Sequence, residues 1–435
     1  MVDDAGGESG THSAVCPWLS LTGSAKDFPQ KVQNFAPFLI SFPQWPQSTY
    51  FPFPNVRLPA IIANAPQASR EVRVAFSFVS GSFRMRGAIA LLFGTIFRWF
   101  ASVRKTHGET TEERWIRVLH EISFESFNKR DWVQAWVYVP AAKPKGVVQL
   151  IHGFGEHSRR YLHMIATFVE AGYIVAADDH VGHGKTAIVN DVWGDWGETG
   201  CHTMMEDEHA LKVEVEKLYP GLPYFLFGHS MGSMIARDFA AKYGDELAGM
   251  TICGTCAEFP NANEVAEDLK RAIEEGRGEQ SDPEYATKLL GWMCERCGEI
   301  TYGNEWICHD PQVQADHAND PFDAFTRPVS NRSLYDFVGM MNCINGTEWA
   351  ERVPVALPIY NIAGDQDPVG NYGEGVYRVS NWLANTGHNV RTRLYPGFRH
   401  EIHNYSQIKE MVEWGIVEFM DGVLGIDGDC DCDCH

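Results

Sequence analysis

A serine flanked by glycines, Gly228-His-Ser-Met-Gly232, ends an apolar run that begins at Phe225. A serine hydroxyl is a weak nucleophile until a base takes its proton. The Gly-x-Ser-x-Gly spacing is the form in which a strand turns sharply into a helix and exposes that hydroxyl at the apex. Glycines are needed there because neighbouring backbone comes too close for a Cβ. Ser230 is therefore the candidate nucleophile. His400, in Tyr395-Pro-Gly-Phe-Arg-His-Glu, is the candidate base that takes the serine proton and returns one to the leaving group; His403 competes for the role. Asp367, in Ile362-Ala-Gly-Asp-Gln-Asp-Pro368, is the candidate that orients the histidine. Asp365 is its rival, but a residue farther beyond the strand end reaches a site at the sheet edge more readily. Backbone N–H groups of Phe154, in His152-Gly-Phe-Gly155, and of Met231 are the candidate oxyanion donors. Together these parts would carry out acyl transfer.

Each residue has an ordinary alternative. A loop histidine is usually a surface residue, an aspartate before proline usually serves a turn, and a serine can simply be small in a tight bend. The conjunction carries the reading: four pieces at four predicted strand ends, in the chain order Ser, Asp, His.

The elements that must position them follow from periodicity. Residues 115–124 and 132–139 alternate as two antiparallel strands joined at Asn128–Asp131. Gly146–Gly153 is a short buried strand, and a helical stretch to Ala171 and a strand at Tyr173–Ala177 follow. The pattern then predicts a helix over Met204–Tyr219, the strand Tyr224–Gly228 that carries the serine, a helix over Met231–Tyr243 and a strand at Ala248–Cys253. Late in the chain, strands at Leu357–Gly364 and Asn389–Tyr395 flank a helix at Gly373–Ala384, and Ser406–Val423 is the last helix. Such alternation predicts an α/β fold, a mostly parallel sheet with helices on both faces. About 100 residues between Cys253 and Leu357 break the alternation, including a charged helix over Glu264–Glu279. An insertion there is expected to cap the carboxyl edge of the sheet, where α/β sites open. The expected divisions are an extension at 1–111, core at 112–256 and 351–424, a cap or lid at 257–350 and an acidic cysteine-bearing tail at 425–435.

A net charge of −21 opposes nucleic-acid binding and a basic membrane-docking surface. The first 107 residues run the other way, with ten Lys/Arg against five Asp/Glu, and eight prolines between Pro29 and Pro66 oppose regular structure there. The apolar run at 87–97 is shorter than a membrane span. It reads as part of a dispensable extension, with a packed or interfacial amphipathic helix or an internal secretory-type start as alternatives. Eleven unevenly spaced cysteines read as mostly free thiols in a reducing compartment. The expected location is cytoplasmic, with membrane association through residues 84–104 as the alternative. Cys294-x-x-Cys297 with Cys308-His309 could supply metal ligands, but the adjacent second pair makes a closed tetrahedral site awkward. Cys253 and Cys256 read as buried structural thiols, and the tail as a solvated segment.

His152-Gly-Phe-Gly-Glu-His-Ser-Arg-Arg-Tyr161, Asp179-His-Val-Gly-His-Gly-Lys185 and Gly228-His-Ser-Met-Gly232 together resemble the monoacylglycerol lipase/lysophospholipase family of serine α/β-hydrolases. Gly364-Asp-Gln-Asp-Pro-Val-Gly370 and Tyr395–Glu401 are similar to its bacterial members. The resemblance spans residues 112–424. It implies the α/β-hydrolase fold, hydrolysis of a small-molecule acyl ester through an acyl-enzyme, a cap shaping an acyl pocket, and no metal or organic cofactor. Transient contact with a lipid interface fits that substrate. An acyltransferase or thioesterase would use the same triad, and a non-catalytic binding protein on this fold is the third reading. Asp179–Lys185 reads as a structural loop.

Overall fold

Residues 146–151, Gly-Val-Val-Gln-Leu-Ile, are all buried, and so are residues 224–229, Tyr-Phe-Leu-Phe-Gly-His. A strand with no polar face must be covered on both sides. In the computed structural model, which describes residues 118–323 and 327–426, that is how they lie. Alternate side chains enter two separate cores: Tyr224 and Leu226 join one, Phe225 and Phe227 the other.

The strands are β1 (Leu119–Glu125), β2 (Trp132–Tyr138), β3 (Gly146–Ile151), β4 (Tyr173–Asp179), β5 (Tyr224–His229), β6 (Gly249–Cys253), β7 (Ile359–Gly364) and β8 (Val390–Tyr395). They form one sheet in the order β1-β2-β4-β3-β5-β6-β7-β8. Only β2 runs against its neighbours, pairing antiparallel with β1 and β4. The helices of the regular alternation are α1 (Leu162–Glu170), α2 (Gly184–Asn190), α3 (Thr203–Leu218) and α4 (Met231–Tyr243). Between β6 and β7 come α5 (Ala262–Glu274), α6 (Pro283–Leu290), α7 (Pro311–Asn319), α8 (Asn331–Cys343) and α9 (Gly346–Ala350); α10 (Glu374–Asn385) and α11 (Lys409–Val423) complete the described chain.

Local chemistry sets the boundaries. Two inserted helices begin at Asp-Pro: Asp282 and Asp310 accept from the backbone N–H two residues on, and Pro283 and Pro311 fill the first helical position. Ser330 caps α8 through Ser333 N–H. The charged helix stops at Glu274 rather than Glu279, because Gly276 takes a left-handed φ of 78° and ends it. β7 starts after Pro358, which has no N–H to give a ladder. Residues 1–111, the apolar run at 87–97, the strand residues before 118 and the tail from 427 lie outside the described residues. Among those described, no helix is long and apolar enough to cross a membrane.

Strand order reverses around β3, and this is where the site forms. β3 pairs in parallel with β5, Ile151 opposite Gly228, so the loop after β3 and the turn after β5 leave the sheet side by side.

Candidate active site

Ser230 sits between β5 and α4 with φ 54° and ψ −121°. A positive φ on a non-glycine residue costs about 1–3 kcal/mol and is held by its surroundings. Here Ser230 N–H donates to Cys253 O at 2.9 Å, and Ser233 Oγ donates back to Ser230 O at 2.6 Å. The flanking glycines are required sterically. A Cβ on Gly228 would lie 2.2 Å from Gly232 O, and one on Gly232 would lie 2.1 Å from Ile151 O.

Asp367, just beyond β7, and His400, beyond β8, meet at 2.8 Å between Oδ2 and Nδ1, with both residues buried. Asp367 Oδ1 accepts Val369 N–H at 2.9 Å, which fixes the carboxylate plane. The two rivals are engaged elsewhere. Asp365 Oδ1 accepts Gly397 N–H at 2.7 Å in an exposed turn, while His403 stacks on Tyr161 at 4.8 Å. Gly254 leaves room for the imidazole, since a Cβ there would come within 2.9 Å of His400 Cε1. His400 Nε2 is buried with no hydrogen-bond partner. Burial alone would pull the His400 pKa down, but the charge and hydrogen bond of Asp367, with Glu401 and Glu156 behind, raise it above the ordinary histidine value.

The Phe154 and Met231 N–H groups have no acceptor among the described residues. Met231 is the first residue of α4, where an N–H has no partner within the helix. Gly153 N–H, by contrast, is taken by Glu156 Oε1 at 2.6 Å. The structure thus brings Ser230, Asp367, His400, Phe154 and Met231 to one edge of the sheet.

Beneath them lies a polar cluster that motif reading did not single out. Glu156 Oε1 also accepts from Tyr161 OH at 2.5 Å and lies 3.2 Å from His229 Nδ1. Arg160 bridges Glu156 Oε2 at 2.9 Å to both Glu401 oxygens at 2.6 and 3.0 Å. Burial would push the Glu156 carboxyl up, but the His229 hydrogen bond and the Arg160 charge hold it well below the usual carboxylate range. One arginine thereby ties the Phe154 loop to the residue next to His400. Glu156 and Arg160 stand four residues apart, but Glu156 lies in a loop, and Glu401 is 241 residues away from Arg160, so no periodicity pairs the three. Arg160→Met removes the cation that two buried carboxylates share. It is expected to cost about 3–5 kcal/mol in urea unfolding; a loss below 1 kcal/mol would show that the clamp contributes little.

The inserted segment closes over the serine. Phe154, Phe259, Leu290, Met293, Trp306 and Phe337 surround Ser230 in an apolar enclosure of ≈ 30 Å³. Trp306 stands 5.0 Å from the His400 ring, and Glu401 N–H donates to Ile307 O at 2.8 Å. Asp179 behaves as a loop brace: Ser158 N–H and Oγ, Arg159 and Lys185 N–H all donate to its carboxylate. Cys253, Cys256 and Cys308 are buried, and His309 Nδ1 lies 2.9 Å from Tyr405 OH.

Residues 142–407 match the family described as serine aminopeptidase, S33. A monoacylglycerol lipase of Mycolicibacterium smegmatis is 27% identical over 281 residues, 64% of this chain and 89% of that protein. The crystal structure of a thermostable carboxyl esterase from Bacillus coagulans, in complex with glycerol, is similar at 60% identity and a TM-score of 0.70; it covers 71% of this chain and 99% of its own. A lipase in an open form is similar at 39% identity and a TM-score of 0.67, over 70% and 99% of the two chains. The chain belongs to this S33 family of α/β-hydrolases, and it is a serine ester hydrolase of the monoacylglycerol lipase/lysophospholipase kind.

Proposed function

We propose that the enzyme hydrolyses esters of the monoacylglycerol or lysophospholipid type through an acyl-enzyme on Ser230. The observation that carries the substrate class is the enclosure: a serine nucleophile whose surroundings are aromatic and aliphatic favours a long hydrocarbon chain over a polar acyl group. The monoacylglycerol lipase and the glycerol-bound esterase among the relatives support the same reading. Ser230 Oγ attacks the ester carbonyl as His400 Nε2 takes its proton. Phe154 and Met231 N–H hold the oxyanion, and the imidazolium protonates the departing alcohol. Water then repeats the sequence to release the fatty acid. The enclosure is small, ≈ 30 Å³, against the several hundred Å³ of an ordinary ligand pocket, so a long acyl chain enters only when residues of the inserted segment that line it, among them Phe259, Leu290 and Phe337, move apart.

The test is hydrolysis of monoacylglycerols, lysophospholipids and triacylglycerols, with acyl groups from acetyl to palmitoyl. Highest kcat/KM on single-chain esters with medium or long acyl groups supports the reading; a preference for acetyl esters or triacylglycerols contradicts it.

A histidine base works as the neutral imidazole, and Asp367 raises the pKa of His400. Activity is therefore lost as pH falls through that value. The kcat/KM profile is expected to rise with pH to a plateau, with its midpoint above about 6.5. A midpoint below 6, measured on an uncharged ester, would contradict this assignment.

Contact with a lipid surface belongs to the same proposal, with residues 84–104 as the segment that makes it. Deleting residues 1–110 is expected to lower hydrolysis of dispersed lipid while sparing soluble esters; equal effects on both would exclude that role.

A further inference from the structure

Three side chains with metal-binding atoms converge where the inserted segment meets the hydrolase core, away from Ser230. Cys201 and His202 immediately precede α3, and Cys343 is the last residue of α8. One ligand atom from each lies within 4.8 Å of the other two. Both thiols are free and partly buried, and the His202 side chain is 45% exposed, so an ion can arrive from solvent. Behind His202 stands a buried carboxylate: Asp238 Oδ2, on α4, lies 2.6 Å from His202 Nδ1. A carboxylate on one imidazole nitrogen orients the ring and makes the other nitrogen a better ligand.

The surroundings are fixed on both sides. Thr203 Oγ1 donates to Gly200 O at 2.7 Å, and an Arg352 guanidinium N–H donates to Cys343 O at 2.6 Å. Gly339, one turn before Cys343, permits the approach, since a Cβ there would already stand 3.3 Å from Cys201 Cβ.

We propose that Cys201, His202 and Cys343 bind a zinc ion, with water as the fourth ligand, and so join α8 to the core. Two thiolates and an imidazole are a soft donor set that suits Zn²⁺, and two thiolate charges neutralise the ion. Tetrahedral bonds of about 2.0–2.3 Å place ligand atoms roughly 3.5–3.8 Å apart, so the cluster need contract by only about 1 Å. The consequence reaches the substrate site, because α8 also carries Phe337, which lines the enclosure over Ser230.

The test uses the reduced full-length chain, stripped by chelator and titrated with zinc against a chromophoric competitor. Cys201→Ser and Cys343→Ser are each expected to bind one zinc fewer than wild type, and Asp238→Asn to weaken that zinc by about 10–100-fold. His202→Gln, at a half-exposed position, gives the same one-ion loss and keeps the test open if the Asp238 variant does not fold. Cysteine variants that bind as many ions as wild type, with the same affinities, would overturn the proposal. So would a Cys201–Cys343 disulfide formed under mild peroxide without any change in bound zinc.

Discussion

Ser230→Ala is expected to lower kcat on every ester substrate by about five to six orders of magnitude, leaving the binding of non-reactive substrate analogues nearly unchanged. The size of the loss follows from geometry. His400 Nε2 is buried without a hydrogen-bond partner, and without the serine hydroxyl it has only water to activate. Donors at Phe154 and Met231 still polarise a carbonyl, which leaves a residual rate above that in free solution. The fold should tolerate the change, because alanine inherits the same φ of 54° that the surroundings impose on serine. A variant with normal circular dichroism and a loss of less than tenfold would place the nucleophile elsewhere.

Asp367→Asn is expected to lower kcat by about 10⁴-fold, and the Val369 amide explains why asparagine is no substitute. Val369 N–H donates to Asp367 Oδ1. In the variant the amide oxygen takes that position, which turns the NH₂ group toward His400 Nδ1. A donor there forces the histidine proton onto Nε2, the atom that must accept from Ser230. The variant also removes the charge that raises the His400 pKa, so the acid limb of the pH profile should move to lower pH. Asp365→Asn is the control. Its carboxylate braces Gly397 N–H in an exposed turn, and its loss should alter kcat by no more than a few fold. Equal losses in the two variants would contradict the assignment of Asp367.

The nucleophile elbow was legible because it depends on local sterics. Gly228 and Gly232 are demanded by backbone within two or three ångströms, and such a demand writes itself into the sequence as Gly-x-Ser-x-Gly. The choice of Asp367 over Asp365 followed from how far each lies past the end of β7, and the strands followed from apolar runs bounded by Gly and Pro. Other parts rest on contacts between distant segments. Arg160 meets Glu401 across 241 residues, and His202 meets Cys343 only because α8 folds back onto the core. No periodicity marks such pairs. The inserted helices were legible as an insertion but not as an arrangement, since the caps at Asp282, Asp310 and Ser330 say where α6, α7 and α8 begin, not what they face.

Intact-mass spectrometry after brief exposure to a fluorophosphonate, followed by peptide mapping, tests the central claim most directly. A reactive serine beside a histidine base in an apolar enclosure should take one phosphonyl group per chain, mapped to Ser230, with no labelling of Ser230→Ala. Labelling of that variant at another residue, or an active wild-type enzyme that takes no label, would contradict it.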